Sequence, residues 1–182
     1  MNLNYIDKPI NQIIMQTNKW SIAALDGLLL ALITISAILI ETVFEPGKAI
    51  IWLIKLVKLV STIGLLYYFV KEYSKTLELF TYKDGLSFGF IVSMLSSLIC
   101  GCYMFLHYTL LFPESLSKVM DAMTTAMQSS NADTSAFENI QRYMSHFISF
   151  FSFVYYTIFG LIVSSIIANY TKKGDIFTEQ KF

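Results

Sequence analysis

Three charged residues fall inside otherwise apolar stretches of this sequence: Asp26, Lys55 and Lys58. An ionisable group at membrane depth is costly to hold, which makes it a candidate for function. Asp26 and Lys58 together could relay a proton or a cation. The plainer reading of Asp26 is a carboxylate one turn inside its stretch, close enough to reach water. Lys55 and Lys58 are three residues apart and therefore share a helix face. There they could bind a lipid phosphate or an anionic head group, or simply extend their stems to the nearer interface. Glu41 and Glu45 are the easier partners of Lys55, because a direct pair of either lysine with Asp26 needs both side chains to reach toward the middle of the bilayer.

The remaining reactive side chains are scattered. Tyr155 and Tyr156 fall mid-stretch, and their hydroxyls need acceptors, with the serines near position 97 as the expected ones. Cys100 and Cys102 lie two apart on opposite helix faces and cannot bridge each other, so they read as small apolar packers. His107 and His146, with Met104, could ligate copper or haem, but no binding motif accompanies them, and no metal or cofactor is expected. There is no Gly-x-Ser-x-Gly, His-Glu-x-x-His or phosphate-binding loop in the sequence. The expectation is therefore a protein that is not an enzyme.

The elements that carry these residues follow from composition. Of 182 residues, 55% are hydrophobic and 14% charged, against about 25% charged in a soluble domain. A chain this short cannot bury so much apolar surface in one aqueous core. Lys+Arg 13 and Asp+Glu 13 cancel, so the basic footprint of a nucleic-acid binder is missing. Four stretches, 22–40, 50–70, 86–112 and 147–170, are long and apolar enough to span a bilayer, which takes about 20 residues. The second is the marginal one. Its two lysines cost roughly 5–7 kcal/mol at the bilayer centre, and its thirteen Leu, Ile, Val and Phe residues return about 4–8 kcal/mol.

Glu45-Pro46-Gly47-Lys48 is a turn signal that pairs the first two spans. Residues 113–145 form the largest hydrophilic segment. Leu116, Val119, Met120, Met123 and Met127 recur there at helical spacing, as do Phe137, Ile140 and Met144 after a Ser129-Ser130-Asn131 break. This predicts an amphipathic helical hairpin. Met120, Met123 and Met127 are its candidate surface for a partner. Ile10, Ile13, Ile14 and Thr17 predict a short amphipathic helix within a separate N-terminal segment, 1–19.

Small residues mark the third and fourth spans. Gly89, Ser93, Ser97 and Gly101 stand at strict four-residue spacing, and Gly160, Ser164 and Ala168 repeat it. Such stripes let helices approach closely in lipid. The preferred reading joins the two spans within one chain; a homo-oligomer interface is the other. Orientation follows from basic residues. Lys8, Lys19, Lys71, Lys75, Lys83, Lys172, Lys173 and Lys181 fall on one side, and only Lys48, Lys118 and Arg142 on the other. The first side is expected to be cytoplasmic, with both termini and the tail 174–182 inside and the hairpin outside.

Lys83-Asp84-Gly85-Leu86-Ser87-Phe88-Gly89-Phe90 leads into a small-residue-rich helix. Phe112-Pro113-Glu114, a Met-rich acidic helix and a last span ending in Lys172-Lys173 follow. In this order of features the chain resembles a family of four-helix inner-membrane proteins of unknown function found in Bacteroidota, over about residues 20–173. The resemblance implies no activity, and it fits an accessory subunit beside a membrane glycosyltransferase. The second proline expected before the last span is missing here.

The expected fold is an all-α, integral membrane four-helix bundle of two transmembrane hairpins, spanning 20–173, with an extracytoplasmic amphipathic helical hairpin between the third and fourth helices. The expected role is an accessory or scaffold protein of the bacterial inner membrane that binds membrane lipid or a membrane-protein partner, without nucleic acid. A small transporter or channel using Asp26, Lys58 and Tyr156 is the alternative. An enzyme of polyprenyl-linked lipids is the third reading.

Overall fold

The computed structural model describes residues 4–129 and 143–173. They form helices α1 (Asn4–Phe44), α2 (Lys48–Lys75), α3 (Tyr82–Leu106), α4 (Pro113–Ser129) and α5 (Met144–Thr171). A π-helical turn, His107–Leu111, extends α3. The described residues contain no strand beyond one isolated bridge. Four segments, Asn18–Phe44, Lys48–Lys75, Tyr82–Leu111 and Met144–Thr171, are long and apolar enough to cross a membrane. The chain is thus an all-helical, multi-pass membrane protein. α1 runs unbroken from Asn4 instead of starting with a separate short helix. No glycine or proline follows Pro9 before the span, and Pro9, the sixth helical residue, removes one backbone bond, to the Tyr5 carbonyl. The amphipathic face of Ile10, Ile13, Ile14 and Thr17 lies outside the described side chains. So do the second arm of the predicted hairpin, with Phe137 and Ile140, and the tail, which fall outside the described residues altogether.

α3 is the central helix. Of its most apolar window 44% is buried, against 6% for α2. Lipid is as apolar as leucine, so helices in a bilayer gain mainly by close approach. The small residues of α3 and α5 provide it. A Cβ at Gly89 would stand 2.7 Å from Ser164 Oγ, and one at Gly160 would overlap Ser93. Gly85 meets Ala168 at 3.1 Å, and Gly101 meets Phe153 at 3.3 Å, on the same scale. Ser97 Oγ and Thr157 Oγ1 share a hydrogen bond at 2.6 Å. Ser149 Oγ donates to the Gly101 carbonyl at 2.6 Å. On the other side of α3, Gly27 of α1 sits 2.9 Å from the Val92 carbonyl by the same construction. The stripe residues Gly89, Ser93, Ser97, Gly101, Gly160, Ser164 and Ala168 are all buried within this one chain.

The two ends of the molecule are closed differently. At the α2–α3 link, Thr81 caps α3. Its hydroxyl accepts from the Asp84 amide at 3.3 Å, and its own amide donates to Asp84 Oδ2 at 3.0 Å. This reciprocal box satisfies two amides that a helix start leaves unpaired. Phe80, fully buried, bridges to Lys173 through two backbone hydrogen bonds, and Lys173 Nζ donates to the Ser74 carbonyl at 3.2 Å. Tyr73 stacks on Phe88 at 4.0 Å, and Lys19 donates to Ser87 Oγ at 2.8 Å. The Lys83-Asp84-Gly85 pattern therefore encodes a cap and then a close approach to α5.

At the opposite end, Glu45 adopts φ 41°, a left-handed conformation that costs a non-glycine residue roughly 1–2 kcal/mol. It forms an ion pair with Lys118 of α4. Glu45 therefore does not serve Lys55, because the turn carries it outward to α4. The apolar face of α4 folds back on its own chain. Met120 and Met144 are buried together, with Leu116, Met127 and Ile148 against them. Of the three methionines expected to form a partner surface, only Met123 remains exposed. The amphipathic helix spends its apolar face on the first turns of α5.

Two consequences can be measured in detergent. Gly160→Ala forces a methyl group into Ser93 and lowers unfolding stability by about 1–3 kcal/mol, the usual range for overpacking. Gly64→Ala, where a Cβ meets nothing within 4 Å, changes it by less than about 0.5 kcal/mol. The second concerns pH. The Lys118 hydrogen bond holds the Glu45 carboxyl below its ordinary value of 4.5, and Glu45 holds Lys118 above its ordinary value of 10.5. The pair's contribution is complete between those ordinary values. It is lost on the acid side as pH falls through the lowered Glu45 value, and on the alkaline side as pH rises through the raised Lys118 value. Hydrogen exchange of α4 amides should quicken in both limits, and Glu45→Gln should abolish the acid limb.

Candidate functional site

The first half of α2 has no buried residue; its buried positions are Leu66, Phe69, Val70 and Ser74. Leu, Ile and Val dominate the helix and fit lipid equally well on every face, so nothing in their chemistry draws the first half inward. A lateral cleft of about 250 Å³ results, lined by Thr34 of α1, Lys55, Lys58, Leu59 and Thr62 of α2, and Tyr155, Tyr156 and Phe159 of α5. The two lysines therefore face the same opening. Lys58 Nζ lies 5.9 Å from the centre of the Tyr156 ring, within cation–π range. No carboxylate lines the cleft, and neither lysine forms an ion pair with a described residue.

Depth along the helix matters. Trp52 is 75% exposed and amphipathic, so it suits the membrane interface. Lys55 and Lys58 follow it by three and six residues, or about 4.5 and 9 Å of helix rise. Lysine stems can span that depth and present ammonium groups at head-group level.

Next to the cleft lies a smaller chamber of about 30 Å³. Thr34, Thr62, Tyr156 and Phe159 line both spaces. Ser93, Ser96 and Cys100 of α3 form the chamber's inner wall. On the lipid side of Tyr155 and Tyr156, a wider apolar groove of about 630 Å³ runs past Phe151 and Phe147 to Met123.

Asp26 stands apart. Eight residues separate it from Thr34, or about 12 Å along α1, and it forms no hydrogen bond or ion pair with a described residue. Lys58 and Tyr156 come together; Asp26 does not join them. The tyrosine hydroxyls also depart from expectation. Tyr155 is exposed, and the α5 hydroxyl that meets an α3 serine belongs to Thr157. His107 is buried in an aromatic cluster, with Nδ1 3.0 Å from the Tyr103 hydroxyl and Nε2 3.4 Å from Thr42 Oγ1. His146 packs on Phe105 instead. No group of three or more His, Cys, Asp or Glu is gathered for a metal among the described residues. The chamber was not foreseen from sequence. Its signal was Thr34 and Thr62, hydroxyls set in the aliphatic runs of two different spans.

The family described as "Protein of unknown function (DUF4199)" matches residues 25–173, most of the 182-residue chain, and the chain belongs to that family. No curated protein and no solved structure matches it.

Proposed function

We propose that this family member is a non-enzymatic inner-membrane protein that binds an anionic lipid in the cleft between α2 and α5. One observation carries the reading: Lys55 and Lys58 face a single lateral opening with no carboxylate in its walls. A lipid phosphate at head-group level would meet both ammonium groups, while its chains lie on the exposed Leu59, Ile63 and Ile158. The apolar walls exclude water from one side, which strengthens the attraction. A bound anion would offset the cost of two lysines in the marginal second span.

The positive-inside distribution supports placing the cleft in the outer leaflet and both termini in the cytoplasm. The accessory role follows from the same chemistry: the protein would hold or present a lipid beside a membrane partner. Transport along Asp26, Lys58 and Tyr156 is disfavoured by the separation of Asp26 from the other two.

Native mass spectrometry with mixed lipids tests the reading. Anionic phospholipid should outcompete zwitterionic phospholipid for the protein. A lysine near the surface contributes roughly 1 kcal/mol toward anionic lipid, so Lys55→Gln with Lys58→Gln should weaken that preference by about 10–30-fold. Lys55→Arg with Lys58→Arg should restore it. Equal preference in the wild type and the Gln variant would refute the proposal.

A further inference from the structure

Two cations at one opening fix the amount of charge a ligand should carry, as well as its sign. Lys55 and Lys58 are three residues apart on α2, which puts their Cβ atoms about 5–6 Å apart. Their flexible stems can therefore bring both ammonium groups to one phosphate. The other polar groups lining the cleft are hydroxyls, those of Thr34, Thr62, Tyr155 and Tyr156. No carboxylate and no side-chain amide lines it. Glu41 of α1 lies outside this lining, and neither lysine forms an ion pair with a described residue. The Tyr156 ring near Lys58 offers that ammonium only the partial negative charge of its face.

A phosphodiester brings one negative charge. Held here, it would leave one ammonium uncompensated beside the apolar walls of Leu59 and Phe159, and an unpaired charge against apolar surface is costly. A phosphomonoester carries about −1.5 to −2 near pH 7 and has three acceptor oxygens. We infer that the cleft selects a lipid phosphomonoester, its phosphate bracketed by Lys55 and Lys58. The inference rests on the lipid reading above and names the head group that reading leaves open. An ethanolamine or choline head would add a third cation with no carboxylate in the lining to receive it. A glycerol head adds neutral hydroxyls and leaves the phosphate one charge short. Phosphatidate, with two acyl chains, and a polyprenyl phosphate, with one isoprenoid chain, both present the required group.

Native mass spectrometry of the full chain in detergent tests the selection. The probes are phosphatidate, undecaprenyl phosphate, phosphatidylglycerol and phosphatidylcholine, each titrated separately. At pH 8 at least one monoester should bind about 5-fold more tightly than phosphatidylglycerol, the worth of one further lysine contact. The tighter of the two monoesters identifies the source. At pH 5 a phosphomonoester has lost its second charge, which ionises near pH 6, and the advantage should shrink to about 1–2-fold. Lys55→Gln should remove the advantage at pH 8, and Lys55→Arg should keep it. Monoesters that bind no better than phosphatidylglycerol at pH 8 would overturn the inference. So would an advantage that persists unchanged at pH 5 or in Lys55→Gln. If phosphatidylglycerol equals the monoesters and all three still exceed phosphatidylcholine, the lipid reading stands and only the selection falls. If phosphatidylcholine binds as tightly as the rest, both fall.

Discussion

The closeness of α3 to α5 is the constraint on which everything else rests. In lipid, burying leucine gains little, so helices are held by backbone proximity and by hydrogen bonds across the contact. Gly89 against Ser164 and Gly160 against Ser93 set that proximity. Ser97 with Thr157 and Ser149 with the Gly101 carbonyl pin the register. The Phe80–Lys173 bridge and the Thr81–Asp84 cap then close one end of the seam. With α3 and α5 joined and α1 seated through Gly27, there is no small-residue face left for the first half of α2.

The cleft follows from that shortage. α2 is anchored through Leu66, Phe69, Val70 and Ser74, and in its other half Ile51, Ile54 and Lys58 are only half-buried. Lys55 and Lys58 lie in the loosely held half, which is where two charges can still reach the interface. The proposed lipid site thus rests on one packing choice: close contact on α3, loose contact on α2.

Sequence reading reached the spans well, because hydropathy over some 20 residues depends on few details. It also reached the small-residue stripes, whose four-residue spacing is a direct statement about one helix face. It failed where an answer depended on which neighbour comes first. Sequence places Glu41 and Glu45 at the end of the hairpin near Lys55, but a left-handed conformation at Glu45 sends that residue to Lys118. Met120 and Met127 looked like a face for a partner, yet the nearest apolar surface was the start of α5. Tyr156 was paired with serines of α3, whereas Thr157, one position on, points there. Periodicity names a face and leaves open what meets it. The chamber needed one residue from each of four helices, a coincidence that no single stretch of sequence carries.

The most direct measurement of the central claim is a structure of the protein in nanodiscs containing anionic phospholipid. It should show a phosphate between the Lys55 and Lys58 ammonium groups, with acyl density along the α2–α5 opening. An α2 closed against α5, with both lysines turned to bulk water and no lipid between the helices, would contradict it.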